Sequence, residues 1–146
     1  MKLWTSLVVA SVMILSSASV SWAFDEAQYE AVKGGKTSCS TCDLSGADLT
    51  NADLRGADLS LVDLTDANLS KVNLANADLT GADLRGANLG GAVLTGADFT
   101  SAILDEVDLT GATLTDAKLE QAMCNWSTKL PADSRWSCVA VTFRRK

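Results

Sequence analysis

From Cys42 to Gln121 the large apolar residues recur at every fifth position. The centre of each unit is Leu at 44, 49, 54, 59, 64, 69, 74, 79, 84, 89, 94, 104, 109, 114 and 119, and Phe at 99, so all 16 centres are apolar. Two residues earlier stands a small residue: Ala in 12 of 16 units, Val at 62, 72 and 107, and Cys42 once. The position between them is Asp or Asn in 12 of 16. This period matches neither an α-helix at 3.6 residues nor a β-strand at 2.0. On a helix, leucines five apart would scatter around the axis. On a strand, an odd spacing would send successive leucines to opposite faces. A chain that turns a square corner every five residues satisfies the pattern. Each side then directs one large and one small residue inward and three polar residues outward. Ala at the small position reads as a space constraint, because such a core has no room for two large residues per side.

The flanks differ from the repeat. Residues 24–33 predict a short helix that could cover the first coil with Phe24, Ala27, Ala31 and Val32. Asp25 and Gln28 have capping-box spacing, and Gly34-Gly35 marks the stop. After Gln121 the pattern fades, although Ala122 and Cys124 hold the register of one more unit. Residues 125–137 read as irregular, 139–143 as a short final strand, and Arg144-Arg145-Lys146 as a basic tail. At the other end, Lys2, the apolar stretch 3–15 and the small residues before Ala23 read as an export signal cut between Ala23 and Phe24. The apolar stretch is short for a bilayer span. The expected organisation is a signal peptide at 1–23, an N-terminal cap at 24–41, the repeat at 42–121, and a C-terminal cap with a basic tail at 122–146.

The units Ala47-Asp48-Leu49-Thr50-Asn51 and Ala82-Asp83-Leu84-Arg85-Gly86 resemble those of the pentapeptide-repeat family. The resemblance covers residues 42–121. It implies an all-β solenoid, a right-handed quadrilateral β-helix with four repeats per coil and therefore about four coils. At a strand spacing of about 4.8 Å the rod would be on the order of 19 Å long. Residues twenty apart would stack. One side would carry the ladder Leu44, Leu64, Leu84 and Leu104. Another would carry Leu59, Leu79, Phe99 and Leu119, and Leu74 would lie in a third. A solenoid needs covered ends, and the two flanks are expected to supply them.

Composition narrows the chemistry. Histidine is absent, which removes the commonest general base and metal ligand. Net charge is −6, against nonspecific nucleic-acid binding. Residues 43–122 carry 14 Asp and Glu and four Lys and Arg, a net of −10. The resemblance extends to family members whose acidic solenoids mimic DNA and bind gyrase, but those act in the cytoplasm and the signal segment argues against it. The Asp and Asn residues read first as turn formers, with cation binding as the sharper alternative.

Four cysteines in an exported chain read as a disulfide framework. On the four-per-coil register, Cys39 and Cys42 meet at a corner and Cys124 points inward at the far end. The expected pairs are Cys39–Cys42 and Cys124–Cys138, since a bridge between the ends would have to cross about four coils. Packed thiols and a redox-active Cys-x-x-Cys are the other readings of Cys39 and Cys42. Zinc held by all four is excluded if the coils form. Asn125-Trp126-Ser127 is a glycosylation sequon. Ile103 and Met123 form a possible contact patch, covered by Trp126, Trp136 or the final strand, or by a second copy.

No residue constellation supports a named reaction, cofactor or metal site. The chain is expected to be a non-enzymatic exported module, periplasmic first, with secretion or a thylakoid lumen as alternatives. Its partner would be an unknown protein rather than nucleic acid, with no stable membrane insertion once the signal is removed. It would be a monomer or a dimer through the C-terminal end. An envelope redox or stress accessory role through Cys39 and Cys42 is the second reading, and topoisomerase binding the third.

Overall fold

The computed structural model describes residues 26–33, 38–139 and 142–145. The expected cleavage site at Ala23 and Phe24 lies outside them, as does Asp25. The order of regular elements is α1 (Glu26–Lys33), β1 (Trp136–Val139) and β2 (Thr142–Arg145). Between α1 and β1 the chain is a stack stitched by single-residue parallel bridges, not by continuous strands. Asp43 pairs with Asp63, Asp63 with Asp83, Asp83 with Ile103 and Ile103 with Met123. Columns starting at Asp48, Asp53 and Ser38 repeat the pattern at a spacing of twenty residues, so four repeats complete one coil. One bridge departs from this spacing: Asp108 pairs with Lys129, one residue late.

Each corner follows one rule. The carbonyl of a central residue accepts the N–H three residues on, as from Leu44 to Ala47 at 3.0 Å and from Leu84 to Ala87 at 2.9 Å. The residue before that donor has φ between 56° and 71° in every unit from Thr41 to Gln121, ten times a non-glycine and seven times a glycine. Positive φ at the third residue is the signature of a type II turn. For a non-glycine residue it costs roughly 1–2 kcal/mol, less for Asn51, Asn76, Asp66 and Asp116, whose side chains tolerate it. The inter-coil ladder offsets this. In the first three coils the central N–H and the corner N–H of each unit donate to the next coil, as Leu64 does to Asp83 and Asp66 to Arg85, both at 2.8 Å.

The inward residues fill the stack. Leu44, Leu64, Leu74, Leu84 and Leu104 are fully buried, and Phe99 is buried with them. Each buried leucine contributes about 1.5–3 kcal/mol relative to exposure. Among the 16 repeat centres, Leu114 alone is only partly buried. Arg55 and Arg85 point outward.

At both ends of the ladder side chains take over bonds that a further coil would make. In the second coil the Asp63 N–H donates to the Cys42 carbonyl below it. In the first coil the equivalent Asp43 N–H donates to Gln28 Oε1 at 2.9 Å. The Tyr29 hydroxyl donates to the Asp48 carbonyl at 3.0 Å, which lies where a lower coil would place a backbone N–H. Val32 is buried against the first coil, whereas Ala27 is exposed. At the far end Asn125 Oδ1 takes the Glu106 N–H, and Thr128 Oγ1 donates to the Leu104 carbonyl at 2.8 Å. The segment read as one strand followed by a free basic tail is a hairpin: β1 and β2 pair antiparallel, with Trp136 opposite Arg145 and Cys138 opposite Phe143. Arg144 and Arg145 are therefore strand residues.

Candidate functional site

The outward face is a lattice of short side chains, most of them engaged with their own turn. All 12 Asp and Asn residues preceding a repeat centre accept the N–H two residues on, from Asp43 with Ser45 to Asp108 with Thr110. Such Asx turns hold the chain before each corner. The four units without Asp or Asn there carry Val93, Ile103, Thr113 and Lys118, all in the C-terminal half of the rod.

Five of these carboxylates are held below their ordinary pKa by local donors. Asp53 is lowered first by its hydrogen bond from Arg55, Asp58 by that from Ser60, and Asp83 by that from Arg85. At Asp98 burial pushes upward, but hydrogen bonds from Thr100 and Lys118 outweigh it. Asp108 falls to about 2, chiefly through the Thr110 hydroxyl, then the Thr110 N–H and Lys129. Two ion pairs join adjacent coils, Lys118 to Asp98 at 2.9 Å and Lys129 to Asp108 at 3.0 Å. Among the described residues no group of three or more Asp, Glu or Cys is arranged to hold a metal ion.

The cysteines form two disulfides. Cys39 joins Cys42 with α-carbons 5.3 Å apart, and Cys124 joins Cys138 at 5.9 Å. The first spans a corner turn, where most other units place a leucine and an alanine. Cys39 is buried and Cys42 partly accessible. The second ties the last inward residue of the rod to β1.

Ile103 and Met123 stack as bridge partners, and of the covers expected for them Trp126 is not placed there, while the side chains of residues 139–143 lie outside the described ones. Trp126 is 95% exposed, because it takes the outward corner position twenty residues above the exposed Glu106. Trp136 is buried elsewhere, against the side carrying Gly111 to Thr115. Met123 is left 41% exposed. The sequon residue Asn125 uses its side-chain oxygen to close the ladder. Leu61 is a further exposed apolar residue, 62% open in a left-handed corner where its Cδ2 lies over Gly81. Its place at a corner was readable from the sequence as an apolar residue out of register. Gln28, Tyr29 and Thr128 gave no such signal. A cavity of about 340 Å³ opens at the C-terminal end, between Gly111–Thr115 of the last coil and the cap from Pro131 to Trp136.

Comparison with known proteins agrees with this geometry. The family model for pentapeptide repeats, itself eight copies long, matches twice, over residues 42–81 and 77–116. No curated protein matches. Rfr23, a pentapeptide repeat protein from the cyanobacterium Cyanothece 51142, is 36% identical with a TM-score of 0.63. The match covers 64% of this chain and 63% of Rfr23, so the chain spans less than two thirds of that relative's length. The pentapeptide repeat protein alr5209 from Nostoc PCC 7120 is 37% identical over 74% of this chain and 85% of its own, with a TM-score of 0.47. With a twenty-residue ladder, a turn every five residues and a family match across the repeat, this chain belongs to the pentapeptide repeat family.

Proposed function

We propose that this protein is a non-enzymatic interaction module that presents apolar side chains on a rigid scaffold in an exported, oxidising compartment, the periplasm first among them. The observation that carries the reading is Trp126, an indole 95% exposed, three residues along the chain from the 41% exposed Met123. A large exposed aromatic residue on a fixed backbone is the kind of anchor that protein interfaces use. The outward Asp and Asn side chains are already committed to their own turns, which favours scaffold over catalyst. Two disulfides accord with an oxidising compartment. In this reading the coil is right-handed and four-sided, with α1 and residues 122–145 as its caps.

The test is photo-crosslinking in envelope extract with the full chain, comparing Trp126→Ser with Arg55→Ala. Capture of a discrete partner by the parent and by Arg55→Ala, lost in Trp126→Ser, supports the module. Identical capture by all three refutes the anchor. The partial accessibility of Cys42 favours a second reading, redox exchange at Cys39–Cys42. Glutathione-buffered titration separates the two, since a catalytic pair would reduce near the potentials of known oxidants and a structural one far below.

A further inference from the structure

Among the described residues, the last coil has no backbone rung above two of its sides, those of Leu114 and Leu119, and only Leu114 borders a cavity. On the side carrying Leu54, Leu74 and Leu94, each coil is hydrogen-bonded to the next in the same way. The Leu94 N–H donates to the Thr113 carbonyl, the Gly96 N–H to the Thr115 carbonyl, and the Thr113 N–H to the Ala92 carbonyl. Above Ala112 to Asp116 this stops. The N–H groups of Leu114 and Asp116 and the carbonyl of Ala112 have no hydrogen-bond partner among the described residues. Leu114 is also the one repeat centre left partly open. The chain explains the gap: after the bridge between Lys129 and Asp108 it reaches Pro131 and swings out, so residues 131–136 form a wall around the space instead of a rung across it. The result is the 340 Å³ cavity, with an unpaired strand edge as its floor.

We propose that this edge is a docking site for a short extended peptide of a partner protein, added parallel to Ala112–Asp116 as the missing rung. The unpaired groups specify the pairing. One peptide residue places its N–H on the Ala112 carbonyl and its carbonyl on the Leu114 N–H. The residue two further on places its carbonyl on the Asp116 N–H. An exposed edge with groups at this spacing is the usual receptor for strand addition. Side chains supply specificity: a small residue over Ala112, a leucine-like residue inward over Leu114, and polar residues outward over Thr113 and Thr115. The wall from Pro131 to Trp136 leaves room for a single extended segment and not for the end of a second rod, which selects a peptide over a stacked copy. The inference rests on the interaction reading, at a surface separate from Trp126.

The test uses the full chain and a fluorescein-labelled probe, acetyl-Ala-Asn-Leu-Thr-Gly-amide, read by fluorescence anisotropy and by amide hydrogen exchange. Saturable binding is expected, with exchange at Leu114 and Asp116 slowed by about tenfold or more. N-methylation of the probe's Asn nitrogen, Asp in place of its Leu, or Leu114→Ala in the protein should each weaken binding by about tenfold. The modified probes leave the protein untouched, so a folding defect cannot imitate the result. No binding at millimolar probe, or equal binding of all three probes, overturns the proposal. Protection of Leu114 and Asp116 that rises with protein concentration, with a dimer in sedimentation, assigns the edge to a second copy and also overturns it. Either failure leaves the Trp126 experiment unaffected.

Discussion

Truncating one leucine in mid-rod should be far more damaging than truncating the same residue at the open end. Leu84 is fully buried, with a coil above it and a coil below. Leu84→Ala removes buried methyl groups and leaves a void that the square backbone cannot close, at a cost of roughly 3–5 kcal/mol. At about 0.05–0.15 kcal/mol per residue, the repeat over residues 42–121 holds on the order of 4–12 kcal/mol in all. The cost at Leu84 is therefore a quarter of the total or more. Leu114 already borders a cavity and has no rung above it. Leu114→Ala should cost less than about 1.5 kcal/mol, because much of the side chain's transfer energy was never gained. Urea unfolding followed by far-ultraviolet circular dichroism measures both. With a slope of about 1–3 kcal/mol per molar, Leu84→Ala should lower the midpoint by more than about 1 M, with Leu114→Ala well under half of that shift. Equal midpoints for the two variants would refute the assignment of an open rung. A folded Leu84→Asp variant with native dichroism would refute the inward register itself.

Three further outcomes follow from the corners, the cap and the carboxylates. Gly46→Ala, with open space around its Cβ, should cost about 1 kcal/mol from backbone strain alone, whereas Gly81→Ala also meets Leu61 Cδ2 at 2.7 Å; a double-mutant cycle with Leu61→Ala should recover the excess, and zero coupling would remove the contact. Tyr29→Phe should destabilise the first coil by about 0.5–1.5 kcal/mol and speed amide exchange near Asp48 without changing exchange at Leu94; a uniform change along the rod would show that Tyr29 does not act as a local cap. Asp108 has a depressed folded pKa of about 2 against an ordinary 3.8, so its contribution is fully present above pH 3.8 and is lost as the pH falls through about 2. Asp53, Asp58, Asp83 and Asp98 shift in the same direction, so acid titration should show stability flat near neutrality and falling below about pH 4, and a fall on the alkaline side of pH 5 would contradict it.

The inward lattice was legible because one frame repeats without interruption. Each Leu and each Ala reports the same geometric demand, and 16 copies average out every local exception. The Asx turns were legible for the same reason. The caps were not, because each occurs once and works through a side chain posing as backbone. Nothing in the letters Gln28, Tyr29 or Thr128 marks a hydrogen bond to a coil distant in sequence. The corner conformation left only a diluted trace. Seven glycines and four Asn or Asp residues at the fifth position point to positive φ, but Leu61, Lys71 and Glu106 hold the same conformation because the ladder imposes it. The missing rung depends on a single late residue before Lys129 and on Pro131, which no periodicity reveals. Cover over Met123 was expected on the ground that apolar residues seek burial, and Trp126 instead follows its corner position outward.

The bridge spacing of twenty residues also makes the molecule an indexing device. Inserting one five-residue unit into the middle of the rod would preserve the inward pattern of large and small residues, every turn and every Asx bond. It would nonetheless advance everything downstream by a quarter turn. The side bearing Ile103 and Met123 would no longer stand above Asp83 but above the neighbouring side, and Trp126 would face a new compass direction relative to α1. Gain or loss of single units therefore changes the angle between the two ends at almost no energetic cost, while gain or loss of four keeps the angle and changes only the length. A lineage of such rods can explore orientation in steps of ninety degrees.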